Sequence, residues 1–215
     1  MSRDELSPEV LLSAYARGYF PMGSDDEPGV IRWYDPNPRG IMPMTGFHAS
    51  RSLVRHARRG NFQLTLNSDF GGVVAGCAAR ENTWITAEIV QAYTRLHAIG
   101  YAHSAEIRRP DGLLIGGLYG VAIGRAFFGE SMFSRETGGS KMALGALVSL
   151  LSGIGFTLFD TQFLTSHLAS LGGLEIKRAD YKRLLAAAVS DPVPWQPPTE
   201  TYSVTPLMQR ISQTS

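Results

Sequence analysis

Between Ala102 and Phe163 the chain changes period in a way that few folds can satisfy. Ala102–Arg108, Leu113–Tyr119 and Ala122–Phe133 are β-rich apolar runs. They are separated by the turn chemistry of Pro110-Asp111-Gly112 and by the Gly120 region. A Gly-containing loop, Glu136–Ser140, then opens a helical stretch, Lys141–Leu151, followed by a further strand, Thr157–Phe163. Three consecutive strands, a helix and a returning strand require a mixed sheet with helices on its faces, an α/β (α+β) architecture.

Helical segments are marked elsewhere by their ends. Ser7-Pro8-Glu9 is a cap, a proline in the first turn and an acid, and Gly18 ends the helix that follows. Phe20-Pro21-Met22 is expected to open a loop through the acidic patch Asp25–Glu27. Ile31–Tyr34 predicts a short strand and Asp35–Gly40 a turn. Helices are expected over Ser52–Arg59, from Ser68 or Asp69 to about Ala79, over Glu88–Ile99 and over Arg178–Ala188, with a short helical turn at His167–Leu171 and a strand over Phe62–Leu66. From Asp191 onward the Pro-rich tail predicts an extended or loosely packed segment.

Composition excludes several classes. A formal net charge of +1 over 215 residues gives no bulk signature of nucleic-acid binding. Any such contact must come from a local cluster, and Arg51, Arg55, Arg58 and Arg59 form one on a single short helix. The ordinary reading of that cluster is a solvated helix face. The single cysteine, Cys77, permits no disulfide framework and no cysteine metal site, and its apolar setting suits a small buried hydrophobe. Cysteine poverty fits the cytoplasm. The histidines lack metal-ligand spacing, so no metal and no cofactor are expected. The longest apolar run, Met142–Phe159, is broken by two serines and three glycines, which argues against a membrane span. The polar N-terminus has no apolar signal core. Near-neutral charge and the absence of heptads point to a monomer.

A few polar residues sit where polarity is expensive. Glu130 interrupts the apolar strand Phe128–Phe133. Asp160 and Gln162 lie two apart in Leu158–Phe163, a spacing that places both on one face of a strand. Burying an unpaired carboxylate costs several kcal/mol, so each acid requires either a structural ion pair or a polar site. Trp33 and Trp84 stand in loop-like settings and could wall a pocket or simply pack. Arg135-x-x-Gly138-x-Ser140 is one residue short of the phosphate loop of GNAT-class acetyltransferases, and a plain helix start explains it equally well.

Taken together, several strings resemble one family. They include Tyr15-Ala16-Arg17-Gly18-Tyr19-Phe20-Pro21-Met22, Trp33-Tyr34-Asp35-Pro36-Asn37-Pro38-Arg39 and Thr83-Trp84-Ile85-Thr86. Ala102-His103-Ser104-Ala105-Glu106, Gly116–Val121, Gly129–Ser134 and Asp160-Thr161-Gln162 continue the series in order. The chain resembles the bacterial leucyl/phenylalanyl-tRNA–protein transferases. The resemblance implies a GNAT-like mixed sheet with flanking helices (residues 50–215) after a reduced N-terminal subdomain (residues 1–49). It implies transfer of Leu, Phe or Met from aminoacyl-tRNA to proteins with N-terminal Arg or Lys, which marks them for N-degron degradation. It also implies polar site residues Glu130, Asp160 and Gln162, and a side-chain pocket near Trp33, Trp84, Leu118, Met132 and Leu147. The basic helix becomes the tRNA backbone contact. Glu136-Thr137-Gly138-Gly139-Ser140-Lys141 departs from the family's usual Glu-Asn-Ala-Ser-Lys. The competing readings are an acyl-CoA-dependent N-acyltransferase of the same fold class and an inactive tRNA- or degron-binding module.

Overall fold

The computed structural model describes residues 5–24, 27, 30–79, 83–190 and 195–212, and the side chains among them up to Arg210. Asp25 and Asp26 of the acidic patch, and residues 191–194 at the start of the tail, lie outside them.

Helix α1 (Pro8–Ala16) starts where the Ser7 hydroxyl accepts from the Val10 N–H. Gly18, in the left-handed region at φ +83°, lets the chain turn out of it. Residues Phe20–Gly23 form strand β1, not the start of a loop, and pair antiparallel with β2 (Ile31–Tyr34). Pro21 and Trp33 face each other in that register. The expected turn at Asp35–Gly40 ends early, because Arg39 and Gly40 belong to a third strand, β3 (Arg39–Ile41). That strand joins the large sheet, pairing on one side with Leu158–Gln162 and on the other with Leu174–Ile176.

Next come α2 (Arg51–Gly60), capped by Ser50, then β4 (Gln63–Leu66), α3 (Phe70–Ala78), capped by Asp69, and α4 (Ala87–Ala98), capped by Thr86. The central run is β5 (Ala102–Arg108), β6 (Leu114–Ile123) and β7 (Ala126–Ser134). The second hairpin turns at Gly124-Arg125, not at Gly120. Gly120 lies inside β6 beside a bulge, where a Cβ would stand 2.2 Å from the Phe128 carbonyl oxygen. Glycine is needed there for close approach of two strands, a signal easily mistaken for a turn. The remaining elements are α5 (Gly139–Gly153), β8 (Leu158–Gln162), α6 (Ser166–Ser170), β9 (Leu174–Ile176), α7 (Arg178–Ala188), β10 (Tyr202–Ser203) and α8 (Val204–Ser212).

The eight-stranded sheet runs β10-β4-β5-β6-β7-β8-β3-β9. All its pairs are antiparallel except β7–β8. Every residue of β6 is buried, as a central strand covered on both faces must be. One core packs α5, α2 and α8 against the sheet, with Phe47, Leu53, Leu147 and Met208 among its members. The other packs α1, α3, α4 and α7, with Tyr15, Val73, Tyr93 and Leu185. The tail is therefore not loose at its end: Val204, Leu207 and Met208 repeat at helical spacing and bury one face of α8. A single helical stripe after a proline-rich stretch is a weak sequence signal, and tertiary packing completes it.

The parallel pairing of β7 with β8 stops at Phe128 opposite Asp160. Beyond that pair the two strands part, and the opening between them is the origin of the site.

Candidate active site

Glu130 projects from β7 just past the last β7–β8 pair and is 8% exposed. Its Oε1 accepts from the Tyr15 hydroxyl (2.7 Å) and from the Gln162 side-chain amide (2.8 Å). Its Oε2 accepts from the Tyr93 hydroxyl (2.9 Å). The two tyrosine hydroxyls also contact each other. Tyr15 arrives on α1 and Tyr93 on α4, so the carboxylate is held by elements far apart in the chain. Burial pushes Glu130 up to about 7, against the lowering effect of its tyrosine hydrogen bonds, and the nearby charge of Asp160 adds to the rise. Burial likewise raises Tyr15 and Tyr93 well above the ordinary phenol value, so both remain donors.

Gln162 ends β8 with φ +65°. That left-handed backbone breaks the two-residue alternation, so Asp160 and Gln162 do not project side by side as an extended strand would place them. The Gln162 side chain reaches Glu130, and its backbone N–H donates to Asp160 Oδ1 (2.8 Å). An ionised carboxylate only accepts, so the Gln162 NH₂ faces Glu130 and its carbonyl oxygen is left for another donor.

Asp160 is wholly buried and fully occupied. Arg39 donates Nε to Oδ1 (2.9 Å) and Nη2 to Oδ2 (2.6 Å), a bidentate pair, and the Tyr181 hydroxyl adds a bond to Oδ2 (2.7 Å). Arg39 is itself 0% exposed, donates Nη1 to the Gly18 carbonyl and lies over the rings of Phe20 and Tyr181, 4.9 and 4.4 Å from their centroids. Burial pulls the Arg39 guanidinium down, but its bonds to Asp160 and the charge of that carboxylate hold it above the ordinary value. Tyr181 is raised by burial and by Asp160.

Two spaces meet at Glu130. The outer one is a cleft of about 790 Å³ whose walls include Met22, Trp84, Gln162, Phe163 and His167. The inner one is a cavity of about 90 Å³ bounded by Leu118, Met132, Leu144, Phe159 and Leu168. Glu130, Ser131, Met132, Thr161 and Leu168 border both. A polar junction thus opens on an apolar recess of side-chain size.

Of the residues singled out in the sequence, Glu130 and Gln162 meet at this junction, Trp84 walls the cleft, and Leu118 and Met132 line the recess. Asp160 stands behind Gln162, outside both spaces. Leu147 lies in the core under α5, and Leu144 from the same helix borders the recess instead. Trp33 packs against the second core from the small sheet. Arg51, Arg55 and Arg58 line a separate surface groove of about 690 Å³ with His48 and Gln209, and Arg59 is exposed on the same helix. None of the four arginines has an ion-pair partner among the described residues. Also among the described residues, no group of three His, Cys, Asp or Glu side chains could hold a metal ion, and no helix is long and apolar enough to cross a membrane.

Sequence reasoning gave no role to Arg39, Tyr15, Tyr93 or Tyr181. The available signal was a tyrosine at a buried helical position, whose hydroxyl must find a partner. What it could not give was the partner's identity.

The family model described as leucyl/phenylalanyl-tRNA protein transferase matches residues 41–186, and the model of that family's N-terminal domain matches residues 4–37. The chain belongs to the leucyl/phenylalanyl-tRNA–protein transferase family. Relatives bearing the name leucyl/phenylalanyl-tRNA–protein transferase include one from Cereibacter sphaeroides, 53% identical with all of both chains covered. Another, from Dinoroseobacter shibae, is 54% identical over 88% of this chain and 84% of its own. Among solved structures the chain is similar to FemX (12% identity, TM-score 0.47, covering 83% of this chain and 71% of that one). It is also similar to L-PGS from Bacillus licheniformis (14% identity, TM-score 0.42, covering 76% and 55%). In this member of the transferase family, the buried tyrosine pair, Glu130, Gln162 and the Arg39–Asp160 pair form one connected hydrogen-bonded unit.

Proposed function

We propose that the chain transfers a leucyl or phenylalanyl group, or the similar methionyl group, from aminoacyl-tRNA to the α-amine of proteins beginning with Arg or Lys, marking them for N-degron degradation. It would act as a monomer in the cytoplasm. The observation that carries this reading is the Glu130–Gln162 hydrogen bond at the junction of an apolar recess with an open cleft.

The aminoacyl ester is already activated, and the incoming α-amine has a reference pKa of about 7.7–8, so a useful fraction is neutral near pH 7. Positioning supplies much of the barrier reduction. The side chain of the transferred residue enters the recess. The free carbonyl of Gln162 accepts a hydrogen bond from the attacking amine and aims its lone pair. Glu130, raised to about 7, receives the amine proton as the new C–N bond forms and returns it to the departing ribose oxygen as the ester C–O bond breaks. Asp160 is a positioning residue: it fixes the Gln162 backbone and is itself fixed by Arg39. Both Glu130 oxygens are engaged, so an amine proton suits Glu130 better than the acceptor's Arg or Lys side chain does. Arg51, Arg55, Arg58 and Arg59 contact tRNA phosphates, which makes affinity salt-dependent.

The direct test is radiolabelled Leu-tRNA with a peptide beginning with Arg beside the same peptide beginning with Ala. Label on the Arg peptide alone is the expected result. Label on neither peptide, with Phe- and Met-tRNA also tried on folded protein, overturns the reading.

A further inference from the structure

Part of the cleft wall carries positive charge that no acid in the protein answers. Arg135, Ser140 and His167 line it, and Arg135 is exposed. Among the described residues neither Arg135 nor its neighbour on α5, Lys141, has a carboxylate partner. Glu136, next in the chain to Arg135, is taken by Arg109 at 3.3 Å. Arg135 gives Nη1 to the Leu114 carbonyl (3.3 Å) and lies 5.4 Å from the Phe133 ring centroid, which leaves the rest of its donor fork unspent. Burial and the charge of Lys141 hold His167 below its ordinary value, so near pH 7 the ring is neutral with one N–H to give.

The loop Arg135-x-x-Gly138-x-Ser140 does not offer its backbone to a diphosphate. The Gly139 N–H goes to the Glu136 carbonyl (3.1 Å), that of Ser140 to the Ser134 hydroxyl (2.7 Å) and that of Met142 to the Gly138 carbonyl (2.8 Å). A diphosphate cradle needs successive free N–H groups. The side chains are what remain. Ser134 donates to the Ser140 hydroxyl (3.0 Å), which keeps its own hydrogen. A guanidinium, a hydroxyl and an imidazole together suit one singly charged phosphodiester. They also stand at the right remove from the recess. Ser134, just before Arg135, lies two residues past Met132 on β7, about 7 Å by strand rise, and His167 adjoins Leu168; Met132 and Leu168 both border the recess. With the transferred side chain in the recess and its ester at the neck, the ribose comes next and the phosphate after it.

We infer that Arg135, with the Ser140 hydroxyl and His167, binds the phosphodiester that joins the terminal adenosine to the rest of the aminoacyl-tRNA. This rests on the aminoacyl-transfer reading above. Lys141 adds its charge to the site without lining the cleft. The contact is separate from the arginine groove on α2, and it acts on the acceptor end of the tRNA, where it holds the ribose and its ester against the junction. It gives the loop a task that needs side chains and no free backbone.

The test is calorimetric binding of a stable amide analogue of leucyl-adenosine, made with and without a methyl phosphodiester at the ribose carbon from which the tRNA chain continues. Wild type, Arg135→Ala and Arg135→Lys are compared, with thermal unfolding of each. The phosphodiester is expected to tighten binding to wild type about ten-fold at low salt, the effect of a charge-assisted contact. Arg135→Ala is expected to bind the two analogues alike, and Arg135→Lys to keep part of the difference. A phosphodiester that brings wild type no gain, or the same gain in Arg135→Ala, overturns the inference and leaves the transferase reading to the labelled-peptide assay. Loss of both analogues together with a fall in melting temperature also overturns it, because Arg135 then serves the fold. Coenzyme A is the competing source of phosphate: if it binds wild type and the binding is lost in Arg135→Ala, the loop serves an acyl-CoA and the inference falls. Absence of transfer by wild type in the peptide assay removes the transferase reading and this inference with it.

Discussion

Arg39 and Asp160 are joined by two hydrogen bonds of 2.9 and 2.6 Å, and both side chains are wholly buried. They come from strands β3 and β8, 121 residues apart in sequence, and their pairing sets where Gln162 can stand.

Breaking this pair from one side strands a buried charge. Asp160→Ala and Arg39→Ala are each expected to destabilise the fold by about 3–5 kcal/mol, whereas Arg39→Ala combined with Asp160→Ala loses less than the two single changes summed. Urea unfolding of the four proteins checks this. Additive losses would show that the two side chains do not act as a pair.

Glu130 should give the stability curve a falling slope. Its carboxyl rises from 4.5 to about 7 on folding, so between those values the folded chain holds more of the proton than the unfolded chain does. Stability contributed by this group is then lost as pH rises through that window. Glu130→Gln is expected to remove the slope, gaining on wild type in relative stability from pH 5 to pH 8. Melting temperatures across that range decide it, and parallel curves would contradict the raised value.

Tyr15 and Tyr93 oppose the rise in Glu130 by hydrogen bonding to its charged form. Tyr15→Phe or Tyr93→Phe should move the acid limb of the transfer rate to higher pH. The limb is read from kcat against pH in each variant. A limb that stays in place would show that Glu130 does not govern it.

The arginines of α2 should act on binding alone. Replacing Arg51, Arg55 or Arg58 by Ala is expected to raise KM for aminoacyl-tRNA with kcat and melting temperature unchanged. Each should reduce the slope of log affinity against log salt by about 0.7–0.9 per phosphate contact removed. Unchanged salt slopes would locate the tRNA elsewhere.

Leu144, not Leu147, should tune which side chain is accepted. Leu144→Ala enlarges the recess and is expected to shift the ratio of kcat/KM towards Phe over Leu by about ten-fold, the effect of roughly 1.4 kcal/mol. Leu147→Ala should lower stability with little change in that ratio, since Leu147 is core and does not border the recess. Competition between Leu- and Phe-tRNA measures both.

The sequence by itself determined the class of fold and the residue types of the site. Strand periods in β5 to β8, and caps at Ser7, Asp69 and Thr86, are local properties, written in neighbouring residues. So is the anomaly of a carboxylate within an apolar strand, which marks Glu130 and Asp160 without reference to anything else in the chain. Which polar group meets which was decided only in three dimensions. Glu130 is met by a helix 115 residues earlier in sequence and by Gln162 across a strand boundary. Asp160 points away from the cleft because Arg39 and Tyr181 claim it from behind and because Gln162 leaves the extended conformation. Pairing partners, the parting of β7 from β8 and the exchange of Leu147 for Leu144 at the recess depend on long-range packing. No local period carries that information, because the free energy that fixes it arises only when distant segments bury one another.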